Sequence, residues 1–222
     1  MNGVYGRAAT GLQDSSWAVN ETVARIGAKG EQKTEALLNG FALKAAVLHD
    51  LRVPLPGFKA NIDHVIVSGK NVLILDTKVW KPGFYSSVFG YRRGWAKADH
   101  VGKDQSYVSR SMDSFLAGTG ARIGLPRLVV WSSRDGQSLS TWALKVPGAS
   151  IVHGLGVVPL VKAFVRQGPA DPAIVARLRQ LLVTSPRPGR GTAPANVGGD
   201  DPFGGPPRPP RVNPHRGPDP FA

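Results

Sequence analysis

The sequence predicts an α/β domain whose elements run helix, three strands, helix, strand, followed by further helices. Three observations carry this prediction: apolar residues at helical spacing before residue 41, two aliphatic runs joined by the short turn "SGKN", and a second helical stretch followed by the aliphatic run "PRLVVWSS".

Taken in order, the first helix is expected from Glu21 to Phe41, where Val23, Ile26, Leu37, Leu38 and Phe41 share a face, although Gly27, Gly30 and Gly40 weaken it. "AAVLHDLRVP" reads as a strand stopped by Pro54, and "LPGFKA" as a loop. Two strands follow, Asn61 to Ser68 and Asn71 to Trp80. Lys81 to Ala98 has no clear period and is read as mostly loop; a second helix is expected over Asp99 to Ala117, closed by "GTG". "PRLVVWSS" is a buried strand, "STWALKVP" and "ASIVH" are weaker ones, and Leu155 to Gln167 is a helical candidate. In "DPAIVARLRQLLV", Asp171 suits an N-cap and Pro172 the first helical position, with Ile174, Val175, Leu178, Leu181 and Leu182 on one face.

The 222 residues hold 27 Gly and 19 Pro, and 11 of those prolines fall after Thr184, where aliphatic side chains are nearly absent. Such a segment buries too little apolar surface to offset its ordering entropy, so a disordered tail is expected. The division read from sequence is an N-terminal extension at 1–20, a domain at 21–183 and the tail at 184–222. The proline-rich "PPRPPR" offers a protein partner a polyproline II segment, with an inert spacer as the blander role.

The net charge is +13, and the tail's five Arg and three Asp account for only +2 of it, leaving +11 on residues 1–183. A folded part this basic points to a polyanion, with mere solubility as the alternative. No cysteine is present, which excludes disulfides and thiolate zinc sites and fits a reducing compartment. The start lacks an apolar signal-like core, and the most apolar run, "ASIVHGLGVVPLVKAFV", is broken by His153, Pro159 and Lys162. A cytoplasmic protein with no membrane partner is expected.

The chemistry concentrates in "NIDHVIVSGKNVLILDTKVWKPG", where two aliphatic strands each carry an aspartate. Gly69-Lys70 suits a two-residue type II′ hairpin turn, which places Asp63 opposite Asp76 and Asn61 opposite Lys78. Period-two alternation puts Asp63, Asp76 and Lys78 on one side. Like charges directly opposite are destabilising, and a divalent cation would relieve them: two carboxylates and water suit Mg²⁺ or Mn²⁺. Lys78 could then stabilise charge on a reacting phosphate or help orient or deprotonate water, as in metal-assisted phosphodiester hydrolysis. The alternative is a structural Asp76–Lys78 salt bridge with Asp63 at a strand edge.

Three segments together, "AKGEQKTEALL" at 28–38, the hairpin at 61–83 and "KDQSYVSRSMDSFL" at 103–116, resemble the nuclease-related domain (NERD) family of the PD-(D/E)xK nuclease superfamily. The resemblance runs from Ala28 to Trp131 and implies a restriction-endonuclease-like core: helix, three-strand meander, helix, strand. It implies Asp63 and Asp76 as metal ligands, Lys78 as catalytic lysine, Glu31 as the helix acid completing the metal site and Gln105 as an accessory polar residue. Glu35, one turn along, rivals Glu31. Asp76 stands where many superfamily members carry Glu, which shortens the reach by one methylene. The implied activity is Mg²⁺- or Mn²⁺-dependent hydrolysis of DNA, with RNA as the second substrate candidate and a homodimer as one possible state. A non-catalytic nucleic-acid-binding module is the rival function.

The stretch from Lys78 to Arg110 interleaves seven Lys or Arg with seven aromatics, a pattern suited to phosphate neutralisation and base stacking. Arg92, Arg93, Lys97 and Trp80 are the candidate nucleic-acid contacts, and a solvated loop whose rings cap a sheet edge is the alternative. His64 should face away from Asp63 as a hydrogen-bonded core histidine. The remaining histidines show no metal-ligand spacing, and "GTGARIG" lacks the Lys-Ser/Thr ending of a phosphate-binding loop.

Overall fold

Nearly continuous aliphatic runs draw the central strands into one sheet. The computed structural model describes residues 1–10, 21–58 and 60–183, all within a compact unit spanning Met1–Gly189; a second unit, Arg190–Ala222, and the tail expected to be disordered lie outside the described residues. In chain order the elements are β1 (Gly3–Tyr5), α1 (Glu21–Asn39), β2 (Ala46–Arg52), β3 (Asn61–Ser68), β4 (Asn71–Trp80), β5 (Gly83–Ser86), β6 (Arg92–Arg93) and β7 (Ala96–Lys97). Then come α2 (Ser106–Phe115), β8 (Arg122–Ile123), β9 (Arg127–Ser132), β10 (Leu139–Ala143), β11 (Ser150–His153), α3 (Val157–Phe164) and α4 (Pro172–Arg179).

The main sheet has the order β1-β2-β3-β4-β9-β11, with β8 also beside β4. β2, β3 and β4 form an antiparallel meander, while β9 runs parallel to β4 and β11 parallel to β9. One face buries Leu48, Val65, Val67, Val72 and Ile74 against Val108 and Met112 of α2 and Ile174 and Leu178 of α4. The other buries Val47, Ile66, Leu73 and Leu75 against Leu38 of α1 and Val157 and Val161 of α3. Both faces are therefore covered by helices, which explains why β3 and β4 read as nearly continuous aliphatic runs.

The β3–β4 turn has the expected form. Gly69 has φ +55° and Lys70 is not among the residues with positive φ, the type II′ pattern, and Ser68 pairs with Asn71. Asp171 caps α4 by accepting hydrogen bonds from Ala173 N at 2.9 Å and Ile174 N at 3.3 Å. Among the described residues, no helix is long and apolar enough to cross a membrane.

Three expectations change. Lys81 to Ala98 is not loop alone: β5, β6 and β7 join β10 in a second, four-stranded sheet of order β10-β5-β6-β7. Strands of two residues leave no readable period, and only pairing reveals them. The helix expected over Asp99–Ala117 is split into a 3₁₀ turn at Asp99–Gly102 and α2, because Asp104 Oδ1 accepts from Ser106 N at 2.8 Å and from its hydroxyl, restarting the helix there. Residues taken as an N-terminal extension supply β1, which pairs in parallel with Ala46–Leu48.

Candidate active site

The β3–β4 ladder holds from Ser68–Asn71 up to His64–Leu75 and then ends. Beyond it β3 keeps only β2, through Ile62–Leu51 and Asn61–Arg52, while β4 keeps only β9, from Asp76–Leu128 to Trp80–Ser132. The two central strands thus fork where their aspartates stand. Asp63 fills the fork: its Oδ2 accepts from the backbone N–H of Thr77 at 2.6 Å, replacing the ladder bond that the divergence removes. The register is the expected one as far as His64–Leu75, but neither the Asp63–Asp76 nor the Asn61–Lys78 pair forms in the ladder; the Asn61 side-chain amide donates instead to Asp50 Oδ1 at 2.7 Å.

Lys78 Nζ stands 2.6 Å from Asp76 Oδ2, with the two side chains 41% and 17% exposed. The alternative reading of a direct Asp76–Lys78 salt bridge is therefore realised, but inside a larger cluster. Burial works against the charge on Lys78 and is outweighed by Asp76, Asp63 and Glu31, so its pKa is raised and it stays an ammonium. Burial, then the charge of Asp76, raises the Asp63 pKa to about 8. Burial, followed by Asp63 and Asp50, raises that of Glu31 to about 10. Fully ionised, these carboxylates would carry more negative charge than one lysine neutralises, and Asp63 and Glu31 hold their protons instead.

Glu31, and not Glu35, stands with the aspartates; Glu35 lines a separate cleft with Arg7, Thr10 and Gln32. Gly30 makes this placement possible. A Cβ there would lie 2.3 Å from Val79 Cγ2, so only glycine lets α1 press onto β4 and bring its neighbour Glu31 to the fork. The glycine that weakens the helix as a sequence signal is the point of closest approach.

A buried polar chain fastens α1 to the strands. Asn39 Oδ1 is 2.9 Å from His49 Nε2, His49 Nδ1 is 2.8 Å from His64 Nδ1, and His64 Nε2 is 3.3 Å from Thr77 Oγ1. Thr77 Oγ1 donates to Thr34 Oγ1 at 3.1 Å, Trp131 Nε1 donates to the same oxygen at 3.0 Å, and Thr34 donates to Gly30 O at 3.1 Å. His64 is the core histidine its strand position implies. Two facing Nδ1 atoms require one N–H and one bare nitrogen, so the two rings are never charged together. Burial pushes His49 down to about 4, and burial with His49 nearby pushes His64 lower than its usual range.

Two residues at the fork escaped sequence reasoning. Asp50, only 4% exposed, has φ +55° and occupies the β2 rung between the His49–His64 and Leu51–Ile62 pairs, beside Asp63. Its position midway through an aliphatic run was the available signal. Tyr107 of α2 is close enough to feel both Asp76 and Lys78, its pKa raised by burial and then by Asp76. Gln105, just ahead of α2, donates from Nε2 to Lys103 O at 3.2 Å.

The proposed nucleic-acid contacts divide. Trp80 is 6% exposed and packs against Tyr85 at a ring separation of 5.1 Å in the core beneath the small sheet, so it is withdrawn from base stacking. Arg92 spends Nε on Phe89 O and Nη1 on Trp95 O, both at 3.0 Å. Lys97 is exposed, and Arg93 lines a cleft of about 810 Å³ with Lys81 and Arg134 where β4 ends.

The donors at the fork suit a hard cation. Among the described residues, Asp76 Oδ2 has no hydrogen-bond partner besides its ion pair, and Asn61 Oδ1 is a second buried acceptor without a donor. Among the described residues no three His, Cys, Asp or Glu side chains are drawn together as a ready-made metal cage. The carboxylates of Asp63 and Asp76 are a donor number that Mg²⁺ accepts, with water completing its shell.

A family model described as NERD, nuclease-related domain, matches residues 26–115, which span α1 through α2 and include every residue of the fork. No curated protein and no solved structure gives a significant match.

Proposed function

We propose, from the match of a nuclease-related-domain model to residues 26–115, that the β3–β4 fork is the active site of a divalent-metal-dependent nuclease acting on DNA. The observation that carries the reading is the fork itself: Asp63 and Asp76 on diverging strands, with a charged Lys78 2.6 Å from Asp76 and Glu31 delivered by the close contact of Gly30. The core order of α1, meander, α2 and β9 is consistent with a restriction-endonuclease-like core.

Asp63 and Asp76 would hold Mg²⁺ or Mn²⁺, which when bound supplies Lewis acidity at the phosphate and lowers the pKa of its water. The chain's own groups do the rest. Lys78, held as an ammonium, offers positive charge to the phosphate; this favours charge stabilisation over water deprotonation as its role. Glu31 borders the ligands and hydrogen-bonds water there. The Thr77 amide locks the Asp63 carboxylate, so that the ligand is pre-oriented. We place this activity in the cytoplasm.

Asp76→Asn removes the charge while keeping the shape. Cleavage of labelled DNA in Mn²⁺ should fall at least about 100-fold, with an unchanged circular-dichroism spectrum. Undiminished cleavage by that variant would sink the assignment. Metal-independent binding without cleavage in the wild type would favour the non-catalytic module.

A further inference from the structure

We propose that the outer face of the small sheet is a stacking platform for unpaired bases, so that the substrate presents a single-stranded segment; this rests on the nuclease reading above. Strand alternation defines the face. Tyr85 points into the core, so Phe84 and Ser86 point outward. Arg92 pairs with Ser86 and Lys97 with Arg92, which puts both cations on that same outer side. On β10, Thr141 is buried and Trp142 is 84% exposed, its ring 5.5 Å from that of Phe84. Trp95, at the tip of the β6–β7 turn, is 95% exposed, and Phe89 is 83% exposed.

The backbone that carries these rings is held. Gly94 N donates to Phe84 O at 2.8 Å, and the two Arg92 bonds fasten the backbones of Phe89 and Trp95. Solvent-facing rings gathered on the strands and turns of one small sheet, two of them packed together, mark an interaction surface, unlike apolar residues scattered singly. Charge decides which partner. Residues 81–98 and 139–145 contain Lys81, Arg92, Arg93, Lys97 and Lys145 and no Asp or Glu, so the surface suits a polyanion.

Within polyanions, the rings select for exposed base faces. In a duplex each base face is covered by its neighbours, whereas unpaired bases are free to stack on aromatic side chains. The platform also continues from the fork along one chain segment: Lys78 and Phe84 are six residues apart and so at most ~20 Å apart. The cleft lined by Lys81, Arg93 and Arg134 opens where β4 ends and offers cations to the backbone there.

The test measures binding of the full-length chain to a labelled oligothymidylate and to a duplex of equal length, in EDTA to prevent cleavage, with Trp95→Ala, Trp142→Ala and Trp95→Phe. Each alanine variant should weaken single-strand binding about tenfold, with Trp95→Phe restoring most of it and duplex binding changing little. Unchanged single-strand affinity in both alanine variants overturns the proposal, as does an equal loss on the duplex. Ring-dependent binding of anionic-lipid vesicles, with no oligonucleotide binding, overturns it in favour of a membrane surface. Asp76→Asn separates the two readings: ring-dependent single-strand binding should persist in it, and should be seen even if the wild type proves unable to cleave.

Discussion

At the scale of single residues, the fork sets carboxylates against histidines in their response to pH. Asp63 and Glu31 have raised pKa values, so the folded state holds protons that the unfolded chain releases near pH 4, and each group loses stability as pH climbs towards about 8 and about 10. His49 and His64 are depressed, so their contribution is lost as pH falls from 6.5 towards about 4. Below pH 6.5 the two trends oppose each other; between 6.5 and 8 only the carboxylates act. Thermal melts in EDTA should therefore show stability falling over that upper window, by as much as ~1.4 kcal/mol per pH unit for each group. Mn²⁺ should flatten the slope by taking the place of the protons, and Asp63→Asn should reduce it. A melting temperature that rises from pH 6.5 to 8 without metal would contradict this arrangement. Asp63, Asp76, Lys78 and Glu31 were legible because charged residues in aliphatic or motif-bearing segments stand out. Asp50 was equally visible in "AVLHDLR", but no motif in the sequence gave it meaning.

At the scale of elements, the contact between α1 and β4 governs the site. Gly30→Ala puts a methyl group where Val79 already sits, and a β-branched side chain at a sheet surface has little freedom to yield. The variant should lose about 1–3 kcal/mol from overpacking, although Ala is the better helix former. Activity should fall further than stability, since moving α1 outward moves Glu31 from the aspartates; denaturant unfolding together with a cleavage assay checks both. A fully active variant of unchanged stability would show that α1 does not need this closeness. The hairpin was legible from its turn to His64–Leu75, where turn chemistry and register agree, but not the fork beyond. The small sheet was not, because β6 and β7 are too short to carry a pattern, and for the same reason Trp80 read as a surface residue rather than as the core under that sheet.

At the scale of the whole molecule, the outer edge of β2 is closed by segments distant in sequence. β1 covers Ala46–Leu48, and beyond it Arg52 N donates to Leu181 O at 2.8 Å and Val183 N to Asp50 O at 3.0 Å. Leu181 and Val183 are buried in the process. A chain ending at Gly189 keeps this closure and should melt within about 2 °C of the full chain. One ending at Arg179 loses both bonds and both side chains, at a cost of about 3 kcal/mol or more, and exposes a strand edge prone to self-pairing. Equal melting temperatures for the two truncations would show the closure to be dispensable.

The sequence by itself determined the α/β class, the order of the core elements, the hairpin register as far as His64–Leu75, and Asp63, Asp76 and Lys78, because these rest on local period, turn chemistry and charges out of place in aliphatic runs. Only the tertiary structure decided that β3 and β4 part at Asp63, that Glu31 and not Glu35 reaches the aspartates, that Asp50 joins them, and that exposed rings line the small sheet. Each of those depends on which distant segments meet: a helix can press onto a strand only where a glycine leaves room, and a two-residue strand exists only through its neighbours.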